Sequence, residues 1–378
     1  MLPYFIMVGI PALLSVFLYF YRSQRWAHSG DTPEYYNSKA YQKVIDAFFL
    51  IWLVLLLFRD ESVGTDLGVY RYHFECFSAM SLAEAIDYIF VTGLEPPYYI
   101  ICKIVSFFSD NFRWIIIICT LISVIPIWKL YREKGNSGFL VVVLFLNIAP
   151  FAMYFSGLRQ SMAMAFAVPC YYYCKNKNWL KFILITFIAC LFHRSAFILL
   201  LMYPVYYLNL KKQWHILYLL PVIALTYIFK SQIFAFLTIF LQSAFSDSYS
   251  ISGNTGAYAV TLLLVVLLIY CFFIAKQDKL DEETVGLRNI LVLCVFIQVF
   301  SGVHTLAMRM NYYYLLFVPL LIDRVMKSGF IKYRFLIWLS KVCMIVFFTI
   351  YYFYYAYTDT DILEIYPYVS VFKDLNMF

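Results

Sequence analysis

The sequence predicts an all-helical bundle that crosses a lipid bilayer many times. Three observations carry this expectation. Hydrophobic residues make up 63% of the 378-residue chain and charged residues 13%, about half the charged share of an ordinary soluble domain. Mean hydropathy is +0.76. The apolar residues also fall in continuous runs, not in the alternating pattern of a barrel strand. A soluble core of this size cannot hide so much apolar surface. An open sheet would leave its edge groups unpaired in lipid, so helices of about 20 residues are the remaining solution.

Twelve apolar runs lie near 3–21, 43–58, 112–130, 138–155, 158–174, 179–192, 195–209, 214–229, 256–275, 288–304, 309–325 and 333–355. They predict about twelve transmembrane helices, several of them short and paired as tight hairpins. The first run has no basic stretch before it and no small-residue cleavage site after it, so it reads as a true span. Two further stretches, 97–108 and 232–245, are amphipathic or aromatic and read as interfacial or re-entrant helices. Between the spans, 59–111 forms an outer segment holding the first of these helices. The acidic part, 59–97, carries Asp60, Glu61, Asp66, Glu75, Glu84, Asp87 and Glu95. A second outer segment, 230–256, contains SDSYSISGNTG and reads as a flexible loop. The tail 356–378 is mildly acidic. With no soluble domain, repeat or linker in view, 1–378 reads as a single integral membrane domain.

Lys and Arg set the orientation. Alternate loops hold nineteen of them: Arg22, Arg25, Lys39 and Lys43; Lys129, Arg132 and Lys134; Lys175, Lys177 and Lys181; Lys211 and Lys212; Lys276, Lys279 and Arg288; Arg324, Lys327, Lys332 and Arg334. The opposite face holds nine, Arg59, Arg71, Lys103, Arg113, Arg159, Arg194, Lys230, Arg309 and Lys373, and Lys341 lies within the last run. The richer face is the expected cytoplasmic one, which puts both termini outside. The net charge of +7 is thus a topology signal and not a sign of nucleic-acid binding.

Nine cysteines are present, most of them in apolar runs, such as Cys119, Cys190, Cys294 and Cys343. Cys76 reads as a loop cysteine. There is no CxxC pair, and no His stands beside Cys170 and Cys174, so neither a disulfide framework nor a metal site is indicated. The 35 Tyr and 38 Phe fit interfacial aromatic belts. Phosphate-loop, zinc-protease, nucleophile-elbow and dinucleotide motifs are absent. No cofactor is called for.

Chemistry concentrates at span ends on the outer face. Arg159 stands in Ser156-Gly157-Leu158-Arg159-Gln160, and Arg194 in Phe192-His193-Arg194-Ser195. Arg309 follows His304 and precedes Asn311, while Arg59 and Arg71 flank the acidic segment. A guanidinium near lipid is costly, and its planar fork suits phosphate or carboxylate oxygens. Arg159, Arg194 and Arg309 are therefore expected to share an anionic ligand. The plainer alternative pairs them with outer carboxylates or lipid headgroups. Asp66, in Val63-Gly64-Thr65-Asp66, is either a turn former or a catalytic carboxylate. Glu95, before Pro96-Pro97, is either a helix cap or a general base. His193 is a third candidate base. Tyr154, Gln160, Arg59 and Arg71 are second-rank lining residues.

The order VGTD, GLEPPYY, FSGLRQSMAMAF, FHRSAF and RMNYYY resembles the EpsG/Wzy family of bacterial polysaccharide polymerases, from about 60 to 320. The resemblance implies a GT-C-like, multi-pass glycosyltransferase of the bacterial inner membrane. It would use undecaprenyl-diphosphate-linked oligosaccharides as donor and acceptor at the periplasmic face, for O-antigen, capsule or exopolysaccharide. It also implies a chain-length regulator (Wzz-like) and a flippase as partners, beside membrane lipids. Arg159, Arg194 and Arg309 would clamp the departing diphosphate. Asp66 or Glu95, then His193, would take the acceptor proton. A flippase for lipid-linked glycans and an O-antigen ligase are the competing readings.

Overall fold

The computed structural model describes residues 2–26, 33–92, 95–135, 137–241, 257–275, 280–329, 333–358 and 363–372. Among these residues the chain is helical, with isolated bridges only at Arg59–Ser370 and Ala275–Gly329. Each of the twelve apolar runs falls on helix. Five helices are long and apolar enough to cross a membrane: Leu2–Tyr21, Lys39–Phe58, Arg113–Lys134, Glu282–Phe300 and Arg334–Thr358. Two bent pairs raise the number to seven if each is one span. Phe139–Ile148, Trp179–Phe192, Arg194–Tyr206 and Tyr258–Ile274 are apolar but shorter. The chain is a helical membrane protein. It packs as two compact units, one formed by Met1–Cys170, Leu180–Phe197 and Lys341–Phe378, the other by Tyr171–Trp179 and Ile198–Ser340.

The first unit begins with α1 (Leu2–Trp26) and α2 (Pro33–Phe58), which pack together. Three short helices follow: α3 (Leu67–Ala79), α4 (Leu82–Thr92) and α5 (Pro96–Ser106). Then come α6 (Arg113–Lys134), α7 (Phe139–Ile148), α8 (Met153–Ser156), α9 (Leu158–Ala165) and α10 (Ala167–Lys175), which belongs to this unit only as far as Cys170. After α10 come α11 (Trp179–Phe192) and a 3₁₀ helix, Arg194–Leu201, which belongs to this unit as far as Phe197. The core of α2, α6 and α7 is aromatic: the Trp52 ring centroid lies 5.1 Å from that of Phe145 and 5.0 Å from that of Tyr154.

The sequence predicts one helix in 59–111, and the structure has three. The two missed helices are short and carry charge at several positions, which hides their apolar stripe. In α3 the buried residues are Leu67, Tyr70, Phe74 and Phe77, the three-and-four spacing of one helix face. In α5 they are Tyr98, Tyr99, Cys102 and Val105. Both faces join one apolar cluster with Ile115, Ile116 and Cys119 of α6 and Leu158 and Met162 of α9. Cys76, expected in a loop, lies within α3. All nine cysteines are free.

Residues 363–371, expected only as part of an outer tail, run against 58–65. Backbone N–H groups of Asp60, Gly64 and Thr65 donate to the carbonyls of Val369, Glu364 and Leu363, and the N–H of Val371 donates to Phe58. The Tyr368 hydroxyl donates to the Leu55 carbonyl at 2.9 Å. The Tyr4 hydroxyl of α1 donates to the carbonyl of Ile365.

The second unit contains α12 (Met202–Tyr206), α13 (His215–Ile228), α14 (Lys230–Leu241), α15 (Ala257–Ile274) and α16 (Glu282–Phe300). It continues with α17 (Thr305–Leu315) and α18 (Val318–Lys327) and takes in the start of α19 (Arg334–Thr358). α16 is its central helix, with 78% of its apolar window buried. α13 and α14 meet at a 74° bend, and α17 and α18 at 44°. The stretch 232–245, expected as an interfacial or re-entrant helix within the outer segment 230–256, is helical as far as Leu241. The rest of that segment, 242–256, lies outside the described residues.

At the start of α16, Asp281 accepts from the Thr284 N–H at 2.8 Å and caps the helix. Beside it, Glu283 accepts from Lys175 Nζ at 2.7 Å and the Tyr171 hydroxyl at 2.6 Å. Arg324 closes the group, 2.5 Å from Asp281 and 3.4 Å from Glu283. Deeper, the Asn311 amide donates to Gln298 Oε1 at 2.9 Å and to the Cys294 carbonyl at 3.1 Å.

Candidate active site

The site grows from three places where helices break. The first is the turn before α3. Gly64 has φ +112°, and a Cβ there would lie 2.2 Å from the Phe155 carbonyl oxygen, so only glycine fits without a shift. This close approach seats the VGTD turn on the FSG turn. The Thr65 and Ser156 hydroxyls are 2.9 Å apart, and the Asp66 N–H reaches the Ser156 hydroxyl at 3.2 Å. The second break is Gly157, between α8 and α9, which starts the short helix carrying Arg159. The third is at His193, where α11 ends and the chain tightens into 3₁₀ geometry at Arg194.

Glu95 draws the last two breaks together. It stands before α5, with extended backbone and prolines at the first helical positions, yet its side chain makes no cap bond. Instead Oε2 takes a 2.6 Å ion pair from Arg159, while Oε1 lies 2.7 Å from His193 Nδ1 and accepts from the Arg194 N–H at 3.1 Å. The carboxylate side chain is only 11% exposed, so these are interactions of a largely desolvated group. Burial alone would push the Glu95 carboxyl up. The His193 ring, the Arg159 guanidinium and the Arg194 N–H outweigh it and hold the carboxyl below the usual carboxylate range.

An ionised Glu95 only accepts hydrogen bonds. His193 Nδ1 must then carry the hydrogen, which makes Nε2 the ring's second, basic nitrogen in the neutral form. That is how a carboxylate orients a histidine for proton transfer. Arg159 is built differently. Its guanidinium lies 5.6 Å from the Tyr70 ring centroid, one terminal nitrogen is spent on Glu95, and Nε is buried with no partner among the described residues. The Tyr98 hydroxyl donates to the Tyr70 carbonyl at 2.9 Å and fixes that platform.

Four of the five sequence motifs thus meet in the first unit. Glu95, Arg159, His193 and the Arg194 backbone form one cluster. Asp66 belongs to the adjoining turn, at the start of α3 and one helical turn from Tyr70, and its side chain makes no cap bond. Arg309 lies in the second unit, on α17. Arg71 forms 2.8 Å ion pairs with Glu61 and Glu75 at the surface. Arg59 is fully buried; it donates to the Leu56 carbonyl at 2.5 Å and lies 5.9 Å from the Phe155 ring. Burial, then the neighbouring Arg113 charge, lower its pKa to about 9. Tyr154 is buried edge-on against Trp52, and Gln160 is buried behind Gly157.

Sequence reasoning missed Tyr70, His73 and Tyr99. Tyr99 is 1% exposed, and its hydroxyl has no partner among the described residues, although the charges of Arg159 and Glu95 both reach it. His73 meets the Tyr99 ring edge-on at 5.5 Å. Burial, then Arg159, holds its imidazole below the usual range. The signal available was the helical spacing of Tyr70 and His73 after Asp66. Among the described residues no group of three or more His, Cys, Asp or Glu could hold a metal ion.

The EpsG family profile matches residues 44–370. The chain belongs to the EpsG family. The match takes in Glu95, Arg159, His193 and Arg194 as well as Arg309. No curated protein and no solved structure matches the chain.

Proposed function

We propose that this EpsG-family protein is a polysaccharide polymerase that joins polyprenyl-diphosphate-linked repeat units at the outer face of the bacterial cytoplasmic membrane. In this reading the twelve apolar runs all cross or enter the bilayer, in a GT-C-like arrangement with both termini outside. The observation that carries the proposal is the Glu95 cluster. It holds an oriented histidine beside an arginine that keeps donors to spare, at the end of apolar helices.

The reaction needs both parts. A sugar hydroxyl of the acceptor attacks the anomeric carbon of the donor glycan. A carbon–oxygen bond forms there as the bond to the carrier diphosphate breaks, and the diphosphate leaves with the electron pair. His193 Nε2 takes the hydroxyl proton, with Glu95 fixing the ring and balancing its new charge. Arg159, with Arg194, stabilises the negative charge that grows on the leaving diphosphate. Asp66 is the second candidate for the proton. A chain-length regulator and a flippase are the partners such an enzyme requires. The buried polar groups within the apolar helices favour an enzyme over a transporter, because Asn147 and Gln298 are engaged in local bonds: the Asn147 amide donates to Val143 and Phe348, and Gln298 joins Ser301 and Asn311.

The test is complementation of a deletion strain with Arg159→Ala or His193→Ala, followed by gel display of surface polysaccharide. Chains limited to one repeat unit, at normal protein levels, are expected. Normal long chains overturn the site. Loss of all surface glycan points to a flippase or ligase.

A further inference from the structure

We propose that the elbow between α13 and α14 is a binding site for a phosphate group carried on a lipid, with Lys230 as its cation. The site lies wholly in the second unit and stands independently of the polymerase reading. Lys230 is the first residue after the 74° bend. Its ammonium lies 4.1 Å from the Tyr227 ring centroid and 4.7 Å from that of Tyr258. On another side it faces Gly302, where a Cβ would come within 3.6 Å of Nζ. Two ring faces and a bare glycine therefore frame the amine.

This frame holds the charge without using its donors. An ammonium carries three N–H bonds, and ring faces attract the charge but accept none of them as a carboxylate would. Among the described residues Lys230 makes no hydrogen bond and no ion pair. Every acidic partner that would make it a plain structural cation is missing from its described surroundings. A cation in a broken apolar span is expensive unless it serves an anion, and broken helices are where membrane proteins bind such groups.

The flanks define the class of ligand. Leu225, Ile228, Phe229 and Phe236 around the elbow are exposed by half or more. A soluble anion would leave that apolar surface uncovered. A lipid phosphate covers it with its tail while its oxygens take the free N–H donors. The source of the phosphate is either the diphosphate of a polyprenyl carrier or the headgroup of a bulk anionic phospholipid.

The experiment is native mass spectrometry of the full-length protein in detergent. Polyprenyl diphosphate is titrated in one arm and phosphatidylglycerol in the other, for wild type, Lys230→Gln and Gly302→Leu. The glutamine removes the charge. The leucine keeps the charge and fills the space over the amine. Both variants are expected to weaken binding about tenfold or more, the worth of one charge-assisted contact. Loss confined to the polyprenyl arm identifies the carrier, and equal loss in both arms identifies a general headgroup site. Wild-type affinity of both variants for both lipids overturns the proposal.

Discussion

Two carboxylates in this protein have the same 11% side-chain exposure and different kinds of partner. Glu283, in the second unit, is bound by Lys175 and Tyr171, with Arg324 shared between it and Asp281. Two acids meet two cations, and every partner is a tether between chain segments. Glu95, in the first unit, is bound by Arg159 and by both the ring of His193 and the N–H of Arg194. One of its partners can transfer a proton, and another has a buried nitrogen left over. The difference teaches that burial and ion pairing do not mark a site. What marks it is unspent capacity: a basic nitrogen or a donor that the fold positions and does not consume.

The sharpest break between the two regions is kinetic. Arg159→Ala and His193→Ala should each slow polymerisation by roughly 10²-fold or more at unchanged protein level. Arg324→Ala should leave turnover per folded molecule intact; a comparable loss of turnover there would erase the distinction. Next in size is Glu283→Gln, expected to destabilise the folded protein by about 1–3 kcal/mol, since buried donors lose an ionised acceptor. Its readout is the Tm in detergent, with turnover per folded molecule unchanged.

A smaller effect sharpens the Glu95 side. The folded protein holds this carboxyl below its ordinary value. Its ionised network therefore contributes fully above that ordinary value and fades as pH falls through the lowered one. The Tm gap between wild type and Glu95→Gln should persist from about pH 8 to about pH 5 and close below about pH 4. A gap that closes near neutrality would contradict an ionised Glu95. The smallest effect is that of Ser156→Ala, which removes the hydroxyl bridging Thr65 and Asp66. It should cost about 1 kcal/mol of stability, again read as Tm.

The helical membrane fold was legible because apolar length is a one-dimensional signal, and each run falls on helix. The small helices α3 and α4 were not, because their buried stripes hold four and two residues and lie between charges. Arg159, Glu95 and His193 stood out singly as polar residues at span ends. Their meeting did not, since contacts across 64 and 98 positions leave no local pattern. Glu95 shows the cost of local reasoning: Pro96 and Pro97 suggested a cap, while the side chain turns away to His193. Arg71 and Arg59 carried the same composition signal as Arg159. One is neutralised by surface acids and the other is buried among carbonyls and rings. Tyr99 gave no signal, because a tyrosine in an apolar helix looks like packing until its hydroxyl is found without a partner.

The contact between residues 363–371 and 58–65 sets a timetable. Gly64 and Thr65, which seat the turn bearing Asp66, hydrogen-bond to a stretch that the ribosome makes only after α1 to α19. The first unit is therefore opened early in translation and closed only after α19 has been made. A nascent chain has its Glu95 partners by residue 194 but waits for residue 364 before the neighbouring turn is tied down. The same dependence makes the stretch after α19 a poor place for a tight fusion, because a tag that pulls on it pulls on the turn of Asp66.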